Sequence, residues 1–216
     1  MTQVKKSEKS QLIDKVKQCN LNDKSSLGLV INQGAPFFRS QWDKRSSGVF
    51  FNPDGSNTRF GLVNTKFGTM YTSSFKRTAV HELLQDGESM TESDVARIFM
   101  NVVIAQKQLL LLDADSLVRC TSGEHKITIH DLTTADRQTT QAFAEEVCNA
   151  GYDGIVFTSN VSGDKAHVIW ADLDVESKFD NGIFQTQSQT SLSYEEIEGK
   201  EAVDYLIDIM KISVEA

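Results

Sequence analysis

A chain of 216 residues is long enough for one domain with a substantial core, and its 39% hydrophobic content is lowered by polar ends. A formal charge of −8 argues against a broad nucleic-acid-binding face, which needs a basic surface, and leaves an acidic surface open to a basic partner. Cys19, Cys120 and Cys148 show neither a Cys-x-x-Cys pair nor framework spacing, so they read as free thiols in a reducing compartment.

In chain order, Met1 to Asn22 is polar and lysine-rich, without an apolar stretch of signal-peptide length. Within it Leu12, Ile13, Val16 and Cys19 fall at helical spacing, which predicts a short amphipathic helix over Ser10 to Cys19. Leu21 to Ser26 reads as linker and Gly28 to Ile31 as a strand. Gly48-Val49-Phe50-Phe51 is strand-like and stops at the turn signal Asn52-Pro53-Asp54-Gly55. Phe67 to Thr72 predicts a further strand. Ser73 or Ser74 then caps a helix from Phe75 to Leu84.

Thr91-Glu92-Ser93-Asp94 resembles a capping box and opens a helix expected to run through Asn101. Gln108 to Leu112 predicts a buried strand, too short to cross a bilayer. Thr133 or Thr134 is expected to cap a helix over Ala135 to Asn149, with Phe143, Val147 and Ala150 inward and Gly151 as its stop. Strands follow at Asp153 to Thr158 and Ala166 to Ala171. Asp180 to Ser193 reads as polar and turn-rich. Glu195 to Ile212 is expected to close the chain as one amphipathic helix carrying Ile197, Ala202, Tyr205, Leu206, Ile209 and Met210. Strands and helices alternate irregularly, which favours an α+β domain with a mixed sheet over a doubly wound one. The expected location is the cytoplasm.

The chemistry concentrates between Phe37 and Glu82. Arg39, Arg59, Tyr71 and Glu82 stand beside apolar residues within fifty positions of one another. Arginine and glutamate are rarely buried unless paired, and a buried tyrosine wants a partner for its hydroxyl, so the recurrence suggests a lined pocket. Planar guanidinium donors match phosphate oxygens two at a time, and a carboxylate suits a ribose hydroxyl or a developing positive charge. A nucleotide carrying a pyrophosphate fits that set.

Phe38-Arg39, Arg59-Phe60-Gly61, Gly68-Thr69-Met70-Tyr71, Ala79-Val80-His81-Glu82 and Tyr152-Asp153-Gly154-Ile155-Val156-Phe157-Thr158-Ser159 follow one another in that order. Together they resemble the RES domain family, named for an arginine, a glutamate and a serine. The resemblance covers about Gly34 to Asp172. It divides the chain into a polar helix and linker over residues 1–26 and a catalytic domain over 27–216, with the motifs at 34–172 and a C-terminal helix.

The resemblance implies a single α+β domain with a split β-core similar to the ADP-ribosyltransferase fold, flanked by helices. It implies an enzyme that breaks the nicotinamide–ribose bond of NAD+ by phosphorolysis or hydrolysis, as the toxin of a toxin–antitoxin pair. Catalytic roles fall to Arg39, Glu82 and Ser159, and substrate binding to these with Arg59 and Tyr71. Arg39 would hold the pyrophosphate or an incoming phosphate, and Arg59 would be a second anionic clamp. Tyr71 would pack on nicotinamide or its ribose, and Glu82 would bond the ribose hydroxyls and shield the cationic centre. Ser159 would bond the ribose or orient Glu82 and Arg39.

No cofactor or metal is implied, NAD+ being the substrate and inorganic phosphate a potential co-substrate. The implied partner is an Xre-like helix-turn-helix antitoxin, a homodimer is compatible with the sequence, and neither nucleic acid nor membrane is expected as a partner. An ADP-ribosyltransferase acting on a protein or small molecule, or a non-catalytic nucleotide-binding module, are the alternatives. Residue by residue the plainer readings are a surface Arg39 paired with Asp43 or Asp54, a solvated Arg59 and a core Tyr71. Glu82 could be ion-paired to Arg39, and Ser159 could bond only locally.

Overall fold

The computed structural model describes residues 8–85, 87, 89–133 and 136–215. Helix α1 (Glu8–Gln18) buries Leu12 and Val16. The segment expected as linker instead forms a short α2 (Lys24–Leu27), capped by the Asp23 carboxylate, and leads into β1 (Gly28–Ile31). Strand β2 (Pro36–Trp42) follows. The strand expected over Gly48 to Phe51 is absent: Val49 and Phe51 are buried in an irregular segment, and only the neighbouring Asn52 makes a bridge, to Thr69 of β3 (Phe67–Ser73).

Helix α3 (Lys76–Leu84) starts after Phe75, with no side-chain cap. Ser73 Oγ bonds the Phe75 and Phe38 carbonyls, so neither serine serves the helix as expected. After β4 (Ser89–Thr91), the capping box of Thr91 and Asp94 does open α4 (Glu92–Arg97). That helix ends at Arg97 and not Asn101, because Ile98 begins β5 (Ile98–Ala105), where Val102, Val103 and Ile104 are β-branched and pack best on a pleated surface. Then come β6 (Leu109–Asp113), α5 (Ala114–Cys120), α6 (Ile129–Thr133) and α7 (Arg137–Asn149). Asp136 caps α7; Thr133 belongs to α6, and Thr134 and Ala135 lie outside the described residues. Gly151, at φ 83°, stops α7 as its position predicts.

Strands β7 (Gly154–Thr158) and β8 (Lys165–Asp172) form a hairpin, with Gly163 at positive φ in its turn. The region expected to be turn-rich holds an eight-residue strand, β9 (Phe184–Ser191). The expected C-terminal helix is broken. Glu198 and Gly199, both at positive φ, make the two-residue turn of a hairpin between β10 (Glu196–Ile197) and β11 (Lys200–Glu201). The helix itself, α8, is only Ala202–Asp208, and β12 (Ser213–Glu215) pairs with β4.

The fold is therefore a single α+β domain around an eight-stranded mixed sheet, in the order β1-β6-β7-β8-β3-β2-β5-β9. Within this sheet only β6 and β7 pair in parallel, joined by the α5–α6–α7 crossover. The sheet is close to divided at its middle: β3 pairs with β8 along its whole length and β2 with β5 along its whole length, yet β2 and β3 meet only at Phe38 and Ser73. Helices α1, α5 and α7 cover one face through Leu12, Leu117 and Phe143. Phe37, Met70, Ile169 and Phe184 fill a cluster that runs beneath the division. Helices α3, α4 and α8 close a third cluster around Val80, Val95 and Leu206. No described helix is long and apolar enough to cross a membrane.

Candidate active site

Where β2 and β3 diverge, a cavity of about 700 Å³ opens, lined by both strands, by α3, by the loop between Asn52 and Phe60, and by the first residue of α7. Its size lies within the range of small-molecule sites. Among the described residues, three arginines, Arg39, Arg59 and Arg137, line it against a single carboxylate, Glu82. A chain of net charge −8 thus carries a locally positive cleft, suited to an anion.

Arg39 stands on β2, half-buried. Its Nη1 donates to the Gly48 carbonyl (2.8 Å) and to Gln41 Oε1 (3.2 Å), while Asn101 of β5 holds its backbone carbonyl (3.0 Å). Gly48 can come this close because a Cβ there would meet the Asn101 side chain at 2.8 Å. Burial, and secondarily Arg45, lowers the guanidinium to about 10, so it stays charged at neutral pH. It pairs with neither Asp43, which binds Arg97 at 2.9 Å, nor Asp54, nor Glu82.

Arg59 lines the cavity from a loop folded tightly on itself: a Cβ on Gly61 would meet the Gly55 carbonyl at 2.1 Å. Helix α7 pins that loop. Gln141 donates to the carbonyls of Gly55, Ser56 and Thr58, and Thr140 donates to that of Arg59 (2.5 Å). Trp170 Nε1 holds the Phe60 carbonyl from β8 (3.0 Å). Tyr71 on β3 accepts the Phe60 N–H at 2.9 Å, and burial pushes its phenol up to about 12, keeping it neutral.

Glu82 sits on α3, half-buried on the cavity wall, and Ser159 Oγ donates to its Oε1 at 2.6 Å. Ser159 itself is buried and does not line the cavity, and its oxygen accepts the N–H groups of Val161 and Ser162. Its position behind the wall serves to hold Glu82. A second tie keeps the two in register. Arg77, five residues before Glu82, grips Asp164 through Nε (2.6 Å) and Nη2 (2.7 Å), and Thr78 Oγ1 bonds the same carboxylate. That guanidinium holds Asp164 well below the usual carboxylate range.

The structure thus gathers Arg39, Arg59, Tyr71 and Glu82 on one cavity and sets Ser159 behind Glu82. Sequence reasoning missed Arg137, Phe50 and Asn52, which also line it. Arg137 stands in no apolar context, and Phe50 reads in the sequence as one residue of a strand, so neither carries a signal. The fold is similar to that of a chain in the crystal structure of the M. tuberculosis MbcT-MbcA toxin-antitoxin complex. The TM-score is 0.55 at 12% identity, over 85% of this chain and 93% of that one. No curated protein sequence matches the chain. The family model described as the RES domain matches residues 37–183, well over half of the sequence, and the chain belongs to the RES domain family.

Proposed function

We propose that this protein is an enzyme that degrades NAD+ by breaking the bond between nicotinamide and ribose. One observation carries the reading: a carboxylate, Glu82, held by Ser159 on the wall of an arginine-lined cavity large enough for a nucleotide. When the C1′–N bond breaks, its electron pair leaves with nicotinamide and the ribose carbon becomes cationic. A fixed carboxylate lowers the energy of that centre most where water is excluded and the group is already oriented. Ser159 occupies Oε1, which leaves Oε2 for the ribose. Arg39 keeps N–H groups with no partner among the described residues, suited to the pyrophosphate, with Arg59 as a second clamp. Tyr71, neutral and anchored at Phe60, packs on the nicotinamide half. Water or phosphate then adds to the ribose carbon, its proton leaving to solvent.

Biologically we read the chain as a toxin that depletes NAD+ and is neutralised by a partner protein. The similarity to a chain of a toxin–antitoxin complex supports this, together with the family. The test is NAD+ incubated with purified protein, with and without phosphate, and products resolved. Free nicotinamide with ADP-ribose supports hydrolysis, and a phosphorylated ADP-ribose formed only with phosphate supports phosphorolysis. NAD+ consumed only when an acceptor protein is added replaces the reading by ADP-ribosyl transfer.

A further inference from the structure

The far end of the cleft carries an aromatic surface that none of these roles uses. Val49 and Phe51 are fully buried, but Phe50 between them turns its ring to the cavity wall. The Phe179 ring stands beside it, centroids 6.0 Å apart and planes inclined by 39°. The two segments are tied together. Phe51 N–H donates to the Lys178 carbonyl (2.8 Å), and Asp180 Oδ1 accepts from Ser47 Oγ (3.0 Å) and from the Thr186 N–H (2.8 Å). The surface is thus built before any ligand arrives.

Its place along the cleft is informative. Phe50 stands two residues before Asn52, which bridges Thr69, whereas Glu82 lies on the helix that leaves the other end of the same strand, just after Ser73. At the rise of an extended strand, Thr69 and Ser73 are about 13 Å apart. Arg39 lies between the two ends: it follows Phe38, the partner of Ser73, and its guanidinium reaches Gly48, two residues before Phe50. Carboxylate, guanidinium and aromatic ring therefore follow one another along the cleft, as do the reacting ribose, the pyrophosphate and the second base of a dinucleotide.

We propose that Phe50, backed by Phe179, is the platform on which the adenine base of the substrate stacks. This rests on the reading of the cleft as an NAD+ site. A phenyl ring offers a π-face and no hydrogen bond, so it gives affinity by stacking. Its distance from Glu82 confines the effect to binding.

The test compares NAD+ with nicotinamide mononucleotide, which has the same scissile bond and no adenosine, on wild type, Phe50→Leu and Phe50→Trp. Leucine keeps the apolar volume without the π-face, and tryptophan keeps both. The expected result for Phe50→Leu is a KM for NAD+ raised about tenfold, the size of one base stack, with kcat within about twofold. Its kinetics on the mononucleotide should match wild type, and Phe50→Trp should restore the KM for NAD+. Calorimetric titration with ADP-ribose reads the platform without turnover and should show the same weakening in Phe50→Leu. An equal loss on both substrates, an unchanged KM for NAD+, or ADP-ribose affinity indifferent to Phe50 would each overturn the platform. Wild type that binds ADP-ribose in a Phe50-dependent way but releases no nicotinamide would overturn the proposed reaction and leave the platform standing.

Discussion

The two halves of the sheet contribute differently to the cleft. The half made of β1, β6, β7, β8 and β3 supplies Tyr71 from a strand, Glu82 from the helix that follows it and Ser159 from a strand end. It also anchors Arg59, through α7 and Trp170. The half made of β2, β5 and β9 supplies Arg39, and through Gly48 and Thr186 it holds the segment bearing Phe50. One residue pair joins them in the ladder, Phe38 with Ser73, while the core stays continuous beneath. A sheet that parts on purpose leaves a cleft with rigid walls, and each wall can carry a separate task. Under the proposed function, the first half carries the carboxylate that faces the cation and anchors Arg59, and the second carries Arg39 and Phe50 for the pyrophosphate and the adenine.

That division can be broken by substitution. The largest effect is expected for Glu82→Gln, which keeps shape and most hydrogen bonding: kcat should fall by about 10²-fold or more with little change in substrate affinity. Affinity lost in proportion to kcat would make Glu82 a binding group and erase the contrast between the halves. Arg39→Ala should show the opposite signature. Loss of charge-assisted bonds worth about 1.5–3 kcal/mol should raise KM by roughly 10- to 100-fold, with a smaller change in kcat. Steady-state kinetics on folded protein check both.

Ser159→Ala removes the hydroxyl that holds Glu82, together with the bonds it accepts from the Val161 and Ser162 N–H groups. A fall in kcat of about tenfold is expected, the worth of one hydrogen bond to a charged group, with KM little changed. Unaltered kcat would mean that Glu82 is positioned without it. The smallest effect concerns the packing beneath the division, where the buried ring of His167 on β8 meets Phe37 of β2 edge to face at 4.9 Å. Burial lowers this histidine to about 4 from 6.5, so between these values the unfolded chain binds the extra proton. Its contribution to stability is complete above pH 6.5 and is lost as pH falls towards 4. About 1 kcal/mol should go between pH 6.5 and about 5.5, and denaturant titrations of His167→Gln should show a flatter pH dependence than wild type.

The same division separates what the sequence discloses from what it hides. Strands β6, β7, β8 and β3 are apolar runs bounded by turn signals, and the ordered motifs from Arg39 to Ser159 are local in sequence. The other half was largely unreadable. After the buried Phe184, strand β9 is Gln, Thr and Ser along the sheet edge, where no hydrophobic alternation marks it. Strand β5 follows α4 with no intervening turn residue, so the capping box at Thr91 drew the helix too far. Phe38-Arg39 is legible as a motif but not as part of a strand. Among the site residues, the link from Ser159 to Glu82 spans 77 positions, and no local pattern could favour it over an Arg39 ion pair.

Under the proposed function, this cleft breaks the nicotinamide–ribose bond with Glu82 facing the cation. The most direct measurement is chromatographic release of nicotinamide from NAD+ by purified wild type beside folded Glu82→Gln, each with and without phosphate. Steady release by wild type and a loss of about 10²-fold or more in the variant are expected. Intact NAD+ with folded wild type under both conditions, or equal release by the two proteins, would contradict it.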